Sequence, residues 1–109
     1  MEVNNTIIKE LIKDLKNTFQ NKLKKIYLFG SYARKNNGKE SDIDFIAIID
    51  DKKVKKYENR VLDIMVDLSV EYDAVISIFI EDETNYMKFK DIRPLYKNIE
   101  NEGIEVYAA

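Results

Sequence analysis

Near the start of the chain apolar residues fall at Ile7, Ile8, Leu11, Ile12, Leu15 and Phe19, with lysines and acids between them, and this period predicts an amphipathic helix. The pattern then changes. "KIYLF" at 25–29 is an apolar, aromatic run closed by Gly30 and reads as a buried strand. "SYARK" begins a short helix after it, "NNGKES" is a loop by composition, and "DIDFIAII" at 42–49 is a second strand, rich in isoleucine. Val54, Tyr57, Val61, Ile64, Met65 and Leu68 restore the helical period over roughly 53–71, and "AVISIFI" at 74–80 is the third strand. Asp82 is a candidate N-cap for "ETNYMKF", Pro94 starts another short helix, and Gly103 stands where a helix C-terminal glycine would, before the candidate final strand "IEVYA". The succession predicts an α/β (α+β) fold, a small mixed β-sheet backed by helices.

Composition narrows the chemistry more than the architecture. At 109 residues, 1–109 reads as a single domain with its own core, and 45% hydrophobic with 35% charged residues is a globular balance. The net charge of -2 gives no bulk attraction to nucleic acid, and the lysines of "NKLKK" and "DKKVKK" read as solvated helix ends, so direct nucleic-acid binding is not expected. There is no cysteine and no histidine. Disulfides, thiolate nucleophiles, imidazole bases and the usual zinc ligands are thereby excluded, which leaves carboxylates, hydroxyls, Lys, Arg, Tyr or a bound metal. No stretch approaches a membrane span, and "MEVNNTIIKE" lacks a basic region followed by an apolar run, so a cytoplasmic protein is expected.

Within that limited set, Asp42 and Asp44 stand out. Alternation along a strand points both carboxylates the same way, with Cα atoms about 6.5–7 Å apart, while Ile43 and Phe45 face the other side. Two carboxylates held so closely repel unless they share a proton or a cation, and hard oxygen ligands suit Mg²⁺ or Mn²⁺. The alternative is a turn residue at Asp42 and a solvated Asp44. Ahead of the pair, Gly30 permits a sharp turn and close backbone approach, Ser31 offers a hydroxyl and exposed amides at a helix start, and Arg34 follows on the same face. An anion cradle at the end of one strand and a carboxylate pair at the start of the next suit a nucleoside triphosphate with Mg²⁺. "GSYARK" is neither the dinucleotide fingerprint nor a P-loop, and the acid spacing is not that of an EF-hand. Tyr27, Phe29 and Phe45 read as core, Tyr32 as a candidate contact for nucleotide or partner, and Arg93 as a solvated arginine.

Gly30-Ser31, ten residues at 32–41, and Asp42-Ile43-Asp44 resemble the signature of the nucleotidyltransferase superfamily that includes DNA polymerase β. "GSYAR", "SDIDF" and the C-terminal "PLYKNIENEGIEVY" look like the minimal nucleotidyltransferases, or MNT proteins, usually encoded beside a HEPN-domain partner. The resemblance implies that Gly30 and Ser31 hold the triphosphate, that Asp42 and Asp44 bind two Mg²⁺ ions, and that ATP is the substrate. It also implies a third carboxylate on a later strand. Asp73 is the candidate and Glu71 the runner-up, while in some relatives the acid aligns nearer Val75, which cannot ligate. The implied function is an antitoxin that transfers AMP from ATP to a hydroxyl, a tyrosine's, of a HEPN ribonuclease toxin. A binding-only antitoxin with a degenerate site is the alternative, and transfer to a small molecule such as an aminoglycoside is a third reading that normally calls for an added acceptor domain.

Overall fold

The computed structural model describes residues 5–30 and 42–109. Helix α1 (Asn5–Phe19) buries Ile7, Leu11, Leu15 and Phe19 on one stripe, the spacing that put it in the sequence as a helix. A 3₁₀ turn, Gln20–Lys22, leads into β1 (Leu23–Phe29), which pairs antiparallel with β2 (Ile43–Ile49). A second 3₁₀ turn, Val54–Tyr57, precedes α2 (Glu58–Tyr72), and β3 (Ile76–Asp82) returns parallel to β2. The chain closes with α3 (Glu83–Phe89), α4 (Pro94–Glu102) and β4 (Ile104–Ala108), which pairs antiparallel with β1. The sheet order is β3-β2-β1-β4, so the sheet is mixed and β2 is internal.

Both faces of this sheet are covered. Ile43, Phe45, Ala47 and Ile49 of β2, with Ile26 and Leu28 of β1 and Ile76 and Ile78 of β3, pack against α1 and α2. The alternate residues Ile46 and Ile48 join Phe29, Tyr86, Tyr96 and Ile99 in a second cluster under α3 and α4. This explains why "IDFIAII" reads as an almost continuous apolar run: a strand buried on both sides cannot alternate. A fully buried Ile or Leu contributes about 1.5–3 kcal/mol relative to exposure, so the two clusters fix the strand's register firmly.

The edge strand β3 is closed off by α2. Ile76 N–H donates to Ser69 Oγ at 3.1 Å and Ile78 N–H to Met65 Sδ at 3.1 Å. Two amides of a sheet edge that could otherwise recruit another strand are thus engaged.

Several boundaries differ from the sequence reading. The helix expected from about 53 begins with the 3₁₀ turn and becomes α-helical at Glu58. The third strand starts at Ile76 and runs to Asp82, not from 74 to 80, because α2 ends on Asp73 in the left-handed conformation (φ 50°, ψ 51°) and Ala74 N–H still bonds back to Ser69 O. Gly103 does end α4, but with φ -68°. Its lack of a side chain is required for another reason: a β-carbon there would lie 2.4 Å from Ile99 O. The short helix expected from "SYARK" lies outside the described residues.

Candidate functional site

Antiparallel pairing sets Phe29, the last residue of β1, against Asp44, the second residue of β2. Gly30 then turns the chain away with φ +80°, a conformation that L side chains rarely adopt. A β-carbon at Gly30 would stand 2.8 Å from Asp44 Oδ2, inside any tolerable contact. The glycine backbone therefore lies directly against this carboxylate. Alternation carries Asp44 to the same side as Ile46 and Ile48, beneath which α3 and α4 pack, but at the opposite end of the strand. Asp42 precedes the strand and is exposed, whereas Asp44 is half-buried.

Burial raises the Asp44 carboxyl above its ordinary pKa, and the neighbouring charge of Asp42 adds to the rise. Both causes disfavour its anion, and both are relieved by a divalent cation shared between the two carboxylates. Hard oxygen donors with unbalanced negative charge fit Mg²⁺, which commonly takes one or two carboxylates together with substrate phosphates. The donor set, and the gap that Gly30 leaves beside Asp44 Oδ2, are compatible with that ion.

The remaining sequence candidates fall in several places. Ser31, Tyr32 and Arg34 lie outside the described residues. Asp73 is exposed at the left-handed end of α2, where aspartate is one of the few side chains to tolerate φ > 0. Among the described residues no three carboxylates gather as a metal-binding group, so Asp73 is not brought together with Asp42 and Asp44. Glu71 is exposed near the end of α2, where partial desolvation and then the charge of Glu10 of α1 raise its carboxyl, and Tyr72 Oη donates to Glu10 Oε2 at 2.5 Å. Val75 is exposed, and its carbonyl accepts from Ile43 N–H at 2.9 Å.

Tyr27, Phe29 and Phe45 are structural, as expected, though on different faces. Phe45 lies in the α1/α2 core, Phe29 in the α3/α4 cluster, and half-buried Tyr27 stacks on Tyr86 at 6.4 Å. Arg93 is exposed, and its guanidinium lies 4.5 Å from the centre of the Phe89 ring, so it braces the α3–α4 junction. The residue that sequence reasoning missed is Ser77, registered directly on Asp44. Only the pairing of β2 with β3 could reveal it.

A pair of hard oxygen donors, one exposed and one half-buried, beside a glycine-closed turn suits an enzyme that moves phosphate-bearing groups. Residues 8–106 match the nucleotidyltransferase domain family, and the chain belongs to that family. Two Methanocaldococcus jannaschii proteins, named as candidate protein adenylyltransferases MJ0141 and MJ0604, are similar to it: 35% and 37% identical over 100 residues, covering 92% of this chain and 95% and 94% of theirs. The fold is shared with a toxin–antitoxin crystal structure with AMP-PNP (TM-score 0.64, 21% identity, 94% of this chain and 73% of that one). It is shared also with a structure of a tri-AMPylated Shewanella oneidensis HEPN toxin in complex with MNT antitoxin (TM-score 0.56, 19% identity, 95% and 71%). The chain is thus an enzyme of the nucleotidyltransferase class.

Proposed function

We propose that this chain is a Mg²⁺-dependent antitoxin that transfers AMP from ATP to a hydroxyl, a tyrosine's, of a HEPN-domain ribonuclease toxin and so neutralises it. The observation that carries the reading is the Gly30–Asp44 contact with Asp42 alongside, a negative hard-oxygen pair with close backbone on one flank. The relatives' name as protein adenylyltransferases and the toxin–antitoxin neighbours support the substrate and the partner.

In this reading Asp42 and Asp44 hold Mg²⁺, which when bound neutralises phosphate charge and lowers the pKa of the attacking hydroxyl. Gly30 lets the chain come close to the triphosphate, Ser31 gives a hydroxyl and amides to its oxygens, and Arg34 gives a cation. The acceptor oxygen forms a bond to the α-phosphorus, its proton is released, and the bond to pyrophosphate breaks. Asp42 and Asp44 fix the geometry of that exchange from the end of a rigid, doubly buried strand. A small protein with no histidine can catalyse such a transfer because positioning and charge carry most of it. The protein then works in the cytoplasm, where ATP and a ribonuclease toxin are found together.

Labelled ATP tests the reaction type. Label from the α-phosphate should become acid-stable on the HEPN partner, while label from the γ-phosphate should leave as pyrophosphate. Retention of γ-label on the partner would instead indicate phosphoryl transfer.

A second reading, an antitoxin that neutralises by binding alone, is favoured by one observation: no third carboxylate joins Asp42 and Asp44 among the described residues. Neutralisation in cells by the Asp42→Asn/Asp44→Asn protein, as strong as by the wild type, would support it.

A further inference from the structure

β3 runs parallel to β2 with Ser77 registered on Asp44 and Phe79 on Ile46. Registered residues of neighbouring strands share a face, so Ser77 stands on the Asp44 side about 4.8 Å away across the sheet. It is the first β3 side chain that an ion held by Asp44 would meet. The next residues on that face do not supply a charge there: Phe79 packs against Phe29 at 5.9 Å, and Glu81 accepts from the Tyr96 hydroxyl and from Asp82 N–H. Ser77 itself is half-buried, and its hydroxyl makes no hydrogen bond to any described residue.

We infer that Ser77 is a third, uncharged position of the metal site and that its neutrality sets how the site takes up ions. Two carboxylates balance the charge of one divalent cation. With a hydroxyl at the third position, a second cation must arrive on the phosphates of the nucleotide. Affinity of oxygen sites for hard cations rises with the number of charged ligands, so the residue at 77 becomes the control on resting metal affinity. This rests on the reading that Asp42 and Asp44 hold the metal.

The test is direct metal binding without turnover, with Mn²⁺ as the probe and the free ion followed by electron paramagnetic resonance. Ser77→Asp should tighten Mn²⁺ binding by about tenfold or more, Ser77→Asn and Ser77→Ala should leave it within about threefold of wild type, and the gain should vanish on the Asp42→Asn/Asp44→Asn background. Unchanged affinity in Ser77→Asp, folded by circular dichroism, would overturn the inference, as would a large loss in Ser77→Ala. Should the aspartate variant not fold, Ser77→Cys puts a single thiol into a chain that has none. Mn²⁺ with a non-hydrolysable ATP analogue should then slow its alkylation by about tenfold, and no protection would place residue 77 away from the ion. Wild-type protein that binds no Mn²⁺ even with the analogue would defeat the metal reading itself, whereas wild-type binding with an indifferent residue 77 would defeat only this inference.

Discussion

At Gly30 a turn and a carboxylate occupy space that a single methyl group would fill, with φ at +80° and Asp44 Oδ2 only 2.8 Å from the virtual β-carbon. Gly30→Ala should therefore cost about 1–2 kcal/mol for the left-handed backbone alone, read by urea denaturation, and should weaken Mn²⁺ binding by pushing Asp44 aside. Full metal affinity in a folded Gly30→Ala protein would show that the contact does not shape the site. Asp44 makes a pH-dependent prediction. Burial and Asp42 raise its folded pKa, so the folded state binds the proton more tightly than the unfolded chain and loses stability as pH rises from the ordinary carboxylate value through the raised one. Asp44→Asn should accordingly be more stable than wild type at neutral pH in the absence of metal, with the difference gone below about pH 3. Mg²⁺ should stabilise the wild type and not the variant. A thermal-melt series over pH, with and without Mg²⁺, measures both. The closeness of the two aspartates was legible in the sequence because residues two apart on an extended stretch need no tertiary information, although Asp42 precedes β2 and does not lie in it as the 42–49 reading expected. Ser77 was not, because its nearness to Asp44 depends on the register of two strands separated by a whole helix. Asp73 illustrates the same limit: its left-handed turn, which ends α2, is invisible to hydrophobic periodicity.

The elements that frame the site are held by polar groups at their ends. Asp82 is 2% exposed and accepts from Asn85 N–H at 3.2 Å, capping α3 as the sequence anticipated. Asp82→Ala should cost about 1 kcal/mol by chemical denaturation, within the usual range for a lost N-cap. It should leave metal binding nearly unchanged, since the cap lies at the far end of β3 from Ser77. A second clamp was not foreseen. Asp51 follows the end of β2 and accepts from Tyr57 Oη at 2.7 Å, Lys53 N–H at 2.8 Å, Lys56 Nζ at 2.9 Å and Lys22 Nζ at 3.1 Å. The Tyr57 hydrogen bond, then the Lys53 amide and the two lysines, hold its carboxyl well below the usual carboxylate range. Its stabilisation is thus present above the unfolded pKa and lost as pH falls through the depressed folded one. Asp51→Asn should be less stable than wild type at pH 7, and the two melting curves should converge as pH drops below about 4. The lysines of "DKKVKK" read as solvated, yet Lys56 is one of the partners in this clamp. Helices and strands were otherwise legible from periodicity; the shifted starts of α2 and β3 trace to local turns, the 3₁₀ start before α2 and the left-handed Asp73 before β3, while β1 begins two residues earlier than read, at Leu23, and β2 one residue later, at Ile43.

Across the whole molecule, a mixed sheet covered by α1 and α2 on one side and by α3 and α4 on the other leaves the carboxylates at the end of its most buried strand. Positions there resist displacement because shifting β2 by one residue would expose Phe45 and bury Asp44. Transfer of AMP to a protein hydroxyl, proposed for this fixed pair, can be read by intact mass spectrometry. The purified chain would be incubated with Mg²⁺, ATP and a candidate HEPN-domain partner, with Asp42→Asn/Asp44→Asn as control. AMP transfer should give mass gains on the HEPN protein in steps of one AMP, absent with the double variant. A tight complex with no mass change in either protein would contradict it.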